Sequence, residues 1–199
     1  MRGVVHQNNI EEMSPIFNGV EITAQNIMMA RSFLLCMEKG ERSFGVASVS
    51  IFDKKLSTIL NILGNLSITK SHKIAVVGRG LFDSKSAEYY DLIEELDFKR
   101  SKELAINIYS SNKGIDFIDF DELKEVGVSA SKLLKSYDSL FWEIPSLDEI
   151  KRSPKSIYPY LVWLDRFSLV VDRESCPVEI DETISILNSL GVNTHSILD

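Results

Sequence analysis

Apolar residues in this chain are arranged in two alternating ways. Unbroken runs stand at FGVASVSIF (44–52), KIAVV (73–77), IDFIDF (115–120), SLFWEI (139–144) and FSLVVD (167–172). Short runs without polar alternation predict strands buried on both faces, as in a parallel sheet. Between them apolar positions recur every three to five residues. Ile22, Ile27, Ala30, Leu34 and Met37 predict a helix over 21–37, ended by Gly40. Leu56, Ile59, Leu60, Leu63 and Leu66 predict the next helix. Further helical spacing falls at 87–96, 121–126, 129–136, 157–164 and 178–190, with Gly127 and Gly191 at helix ends. Residues 106–109 read weakly, and 192–198 read as a closing strand. Alternating strands and helices predict an α/β fold: three layers, a mainly parallel central sheet, helices on both faces. Residues 1–18 are polar and irregular and read as a lead-in; residues 19–199 read as a single domain.

Composition narrows the function classes. The 199 residues carry 22 Lys plus Arg against 29 Asp plus Glu, a net charge of −7. That balance argues against a general nucleic-acid or anionic-membrane binder. Cys36 and Cys176 form no CxxC pair, and His6, His72 and His195 have no zinc-ligand spacing, so no metal site is expected. No apolar run has the roughly 18 residues of a membrane span, and MRGVVHQNNIEEM lacks the apolar core of a signal peptide. A cytoplasmic protein is expected. Glycine is ordinary in number, 10 in all, and informative in position.

Ligands of open α/β sheets bind at the carboxyl ends of the strands. The turn after the first run ends Asp53-Lys54-Lys55-Leu56-Ser57-Thr58. A phosphate-binding loop there needs glycines, so that backbone N–H groups can curl around phosphate, then a lysine and a Ser/Thr for magnesium. Ser57 and Thr58 stand in the right place, but Leu56 falls on the lysine position and Asp53 and Lys55 fall on glycines. The plain alternative is a strand-to-helix turn with Asp53 near a helix cap. After the second run, Gly78-Arg79-Gly80 is a GxG that could cradle an anion or simply turn the chain. Glu143, ending the SLFWEI run before Pro145, is the acid placed where a magnesium-holding carboxylate would stand. Trp142 beside it reads as core.

In order, these pieces resemble the cytoplasmic tyrosine-kinase domain of bacterial capsule and exopolysaccharide systems, in the ParA/MinD-like group of P-loop proteins. The resemblance runs over about residues 14–199. It is carried by Ser14-Pro15 and Glu21, the strand and turn over 46–58, Tyr137-Asp138 through Glu143-Ile144-Pro145, and the closing Leu190-Gly191-Val192-Asn193. The resemblance implies a P-loop NTPase-like fold. It also marks departures. Gly78 and Gly80 stand where the family has acids, Leu56 where it has the phosphate lysine, and Glu143 where it has an aspartate. Ala24 and Ile27 replace the two arginines of its self-association motif, and no tyrosine follows Tyr160.

The resemblance with these departures implies a catalytically silent, kinase-like protein. No catalytic residue, metal or cofactor is expected. Its partner would be an inner-membrane polysaccharide co-polymerase or an active kinase homologue, with recruitment to the inner face of that membrane through the partner and no insertion of its own. Two alternatives stay open. One is an ATP/Mg-binding kinase or ATPase with an unorthodox site built from Lys54 or Lys55, Ser57, Thr58 and Glu143. The other is a positioning scaffold that forms a homo-oligomer.

Overall fold

The computed structural model describes residues 23–48, 55–65, 72–79, 99–103, 105–110, 114–145, 147–153, 163–170, 177–189 and 196–198. The expected helix over 87–96, nearly all of that over 157–164, and Cys176, Asp53, Lys54 and Gly80 lie outside them.

The elements in chain order are α1 (Ala24–Glu38), β1 (Ser43–Ser48), α2 (Lys55–Asn65), β2 (Ile74–Gly78), β3 (Lys99–Glu103), β4 (Ile106–Ser110), β5 (Ile115–Asp119), α3 (Phe120–Val126), α4 (Ala130–Leu133), β6 (Ser139–Glu143), α5 (Leu147–Arg152), β7 (Arg166–Val170), α6 (Pro177–Ser189) and β8 (Ser196–Leu198). The strands form one sheet in the order β3-β4-β5-β2-β6-β1-β7-β8. Only β4 runs against the rest, antiparallel to both β3 and β5. The five strands from β2 to β8 and their neighbour β5 pair in parallel.

The unbroken apolar runs follow from this layout, because strand residues alternate between two covered faces. Phe44, Val46, Ile74, Val76, Ile115, Phe117 and Phe141 point to one face, where Ala30 and Phe33 of α1 and Ile59, Ile62 and Leu63 of α2 cover them. Ala47, Ala75, Val77, Ile118, Leu140 and Trp142 point to the other, covered by Phe120 and Leu123 of α3, Leu133 of α4, Ile150 of α5 and Leu187 of α6. Helices therefore lie on both faces, as the sequence pattern expects.

Aromatic contacts anchor the first layer. Phe33 lies 5.3 Å from Phe44 and 5.4 Å from Phe141, ring centre to ring centre. Such pairs add about 0.5–1.5 kcal/mol beyond area burial. This contact shifts the buried seam of α1 from the expected stripe. Ala30 is buried as expected, but Phe33 and Cys36 join it, while Ile27, Leu34 and Met37 are only half-buried. Burial also raises the pKa of the Cys36 thiol above its ordinary value. On the second layer Gly45 lets the chain pack closely: a Cβ there would stand 2.5 Å from Leu164 Cδ1. Trp142 is fully buried, stacks 5.4 Å from Trp163 and donates to Ser43 Oγ at 2.8 Å.

Helix ends follow their chemistry. Thr23 Oγ1 accepts from Asn26 N at 3.1 Å, and Asp119 caps α3. Gly127, at φ +68°, closes α3 in the left-handed region. The hairpin between β3 and β4 uses the same region without a glycine: Ala105 has φ 68°.

Candidate functional site at the carboxyl end of the sheet

The topology locates the site before any side chain is considered. After β1 the chain passes to one side of the sheet, beyond β6, to form β2; after β6 it passes to the other side, beyond β1, to form β7. Adjacent strands whose connections leave in opposite directions open a crevice outside their carboxyl ends. Here that crevice lies between β1 and β6, hydrogen-bonded neighbours with Val46 opposite Glu143.

Glu143 is half-buried at the end of β6. Val77 pairs with Trp142, so Gly78, the next residue of β2, stands level with Glu143. β1 runs two residues further, to the buried Ser48 opposite Val170. α2 begins at Lys55, which puts Leu56, Ser57 and Thr58 in its first turn. The fold thus brings Glu143 and Gly78 together on neighbouring strands and sets the Lys55–Thr58 turn at the start of the helix that follows β1. That is the placement the Ser-Thr pair predicts.

The sequence reading gave less weight to the next strand out. Gly78 pairs with Asp119 at the end of β5. Asp119 Oδ1 accepts from the backbone N of Asp121 at 2.8 Å and of Glu122 at 3.3 Å. An aspartate directly before a helix with acids in its first turn is a capping signal that the IDFIDF run conceals. Arg79 leans toward this cap. Its guanidinium carbon lies 5.4 Å from the Phe120 ring centre, and its Nε lies 3.7 Å from Asp121 Oδ1. Both side chains are more than a third exposed, so this ion pair contributes little to stability.

The opposite, amino end of the sheet holds a network absent from the sequence reading. Asp165, just before β7, accepts from the backbone N of Arg42 at 2.7 Å and of Ser43 at 2.9 Å, at the start of β1. Asp138, just before β6, accepts from the backbone N of Lys73 at 2.8 Å, at the start of β2. The Arg42 guanidinium donates to the carbonyls of Asp138 (2.8 Å), Leu134 (2.9 Å) and Tyr137. Tyr137 donates to the buried Asp116 of β5 at 2.7 Å. A charged residue at the start of four of the five apolar runs (Arg42, Lys73, Asp138, Asp165) is the sequence signal for it.

No family model matches the sequence, and no curated protein matches it significantly. Solved structures do match by shape. The VpsO kinase domain superposes with a TM-score of 0.55 at 12% identity, over 87% of this chain and 94% of its own. The BceF tyrosine kinase domain gives 0.58 at 14%, over 86% and 76%. The chimerical protein CapA2B2 gives 0.57 at 13%, over 87% and 79%. The chain has the fold of these structures, two of which are kinase domains. That agrees with the family resemblance of the sequence and with an α/β, P-loop NTPase-like architecture. Among the described residues, no helix is long and apolar enough to cross a membrane.

Proposed function

We propose that this chain is a kinase-fold protein without phosphoryl transfer, acting by contact with proteins of a polysaccharide-producing machinery. The observation that carries the reading is the first turn of α2. Leu56 falls in that turn, at the position that the sequence resemblance gives to the family's phosphate lysine, and leucine offers a phosphate neither charge nor donor. The strand ends support it. Gly78 has no carboxylate for magnesium. At the ends of β2, β5 and β6 stand the carboxylates Asp119 and Glu143 and the Arg79–Asp121 ion pair, while Lys55 opens α2 beyond β1. That local field disfavours a triphosphate. The residues present therefore do not fit a nucleoside triphosphate with magnesium.

Incubation with magnesium and γ-phosphate-labelled ATP tests the reading. The chain and added tyrosine polymers should stay unlabelled. Label above a Glu143→Gln control would overturn it.

A second reading has one observation in its favour: Lys55, Ser57 and Thr58 do fall in the first turn of the helix after β1. If an unorthodox nucleotide site exists, substituting Lys54 and Lys55 together abolishes binding. Partner contact has a natural place on the outer face of α1, where Met28 is 71% and Leu35 57% exposed. With Ala24 and Ile27 in the arginine positions, contact there would be apolar rather than ionic. Met28→Asp should then abolish capture by a polysaccharide co-polymerase fragment.

A further inference from the structure

β3 is the terminal strand of the sheet among the described residues, and its composition is unlike that of every other strand. It reads Lys99-Arg100-Ser101-Lys102-Glu103, three cations to one acid, in a chain of net charge −7. Residues Lys99 to Lys102 are all exposed. Their strand is continuous, pairing residue by residue with β4 from Lys99 opposite Ser110 to Glu103 opposite Ile106. It contains no proline, and its register with β4 contains no bulge. No described strand pairs with its other edge, whose backbone N–H and C=O groups are of the kind that accept a further strand.

Lysine on an edge strand commonly serves only to keep copies apart. Here the charge is also shaped. Arg100 is held by two bonds from its guanidinium to Asn107 Oδ1, at 3.0 and 2.9 Å, and lies 5.7 Å from the Tyr109 ring centre. Lys102 shares its face of the strand, and Lys99 projects from the opposite face. A second copy of β3 would bring a net positive strand against another, which cross-strand repulsion disfavours. An acidic strand meets two cations, Arg100 and Lys102, on one face, and Lys99 at the start of the other, which ends in Glu103. We propose that the free edge of β3 takes up an extended acidic segment of a partner protein as an added strand, with main-chain bonds for affinity and Lys99, Arg100 and Lys102 for selection. This inference stands apart from the nucleotide question.

The probe is a fluorescent hexapeptide of alternating glutamate and valine, followed by polarisation against the full chain. Saturable binding that weakens as salt rises from about 0.05 to about 0.5 M is expected. The variant Lys99→Glu/Lys102→Glu should lose roughly tenfold or more in affinity, with an unchanged circular dichroism spectrum and melting temperature as the folding control. A peptide N-methylated at every amide keeps its charge but cannot donate to the ladder from either edge, and it should not bind. Absence of binding, equal binding by the charge-reversed variant, equal binding by the methylated peptide, or concentration-dependent self-association through β3 would each overturn the proposal.

Discussion

The two ends of the parallel sheet differ in what they ask of their residues. At the amino end, Arg42, Asp138 and Asp165 tie the starts of β1, β2, β6 and β7 together through bonds between 2.7 and 2.9 Å. At the carboxyl end, where the fold places ligand chemistry, the described charged groups include Glu143, an aspartate that caps α3, an exposed Arg79–Asp121 pair, and Lys55 at the start of α2. The residues that assemble the sheet are thus separate from those that would handle phosphate. A chain can change the second set and keep the first. That separation would let the fold persist with Leu56, Gly78 and Glu143 in the positions that the sequence resemblance gives to its chemistry.

Substitutions at the two ends should therefore behave oppositely. Arg42→Ala leaves three carbonyls without their charged donor and should cost about 2 kcal/mol, since hydrogen bonds to charged groups exceed neutral ones. For a chain of this length that is a fall of roughly 4–8 °C in melting temperature. A loss below about 0.5 kcal/mol in urea denaturation would mean that the amino-end network is ornamental. Ala105→Gly works in the other direction. It relieves the left-handed conformation of Ala105 and should raise stability by up to about 1 kcal/mol.

Cys36 gives a pH test within the packed layer. Burial raises its thiol pKa, so the unfolded chain ionises first as pH rises. Above the ordinary thiol range the native state then binds more protons than the unfolded state, and stability falls with rising pH. Cys36→Ala should flatten that alkaline slope. Denaturation midpoints at several alkaline pH values, with and without the substitution, measure it. The smallest effect is expected at the carboxyl end: Glu143→Gln should shift stability by less than about 0.5 kcal/mol.

Much of this fold was legible in the sequence. Strands buried on both faces are apolar at most positions, so the runs around Val46, Val76, Phe141 and Leu169 stand out even with Ser48 and Ser168 buried among them. β3 did not, because an edge strand with exposed residues has no apolar period, and the turn at Ala105 has no glycine to mark it. The seam of α1 was misplaced by the same logic. Spacing alone weighs Leu34 and Phe33 equally, and the aromatic contacts with Phe44 and Phe141 decide between them. At the candidate site the altered positions are legible along the chain, and their neighbours follow from the topology. Charged residues before strands were the signal left unread, since an isolated Arg or Asp looks like ordinary surface until its partner strand is known.

The central claim is that the fold has been kept while nucleotide chemistry has been lost. Isothermal titration of the folded chain with ATP and magnesium tests it most directly. The account expects only heats of dilution up to millimolar nucleotide. A saturable one-to-one isotherm with micromolar affinity, accompanied by turnover, would contradict it.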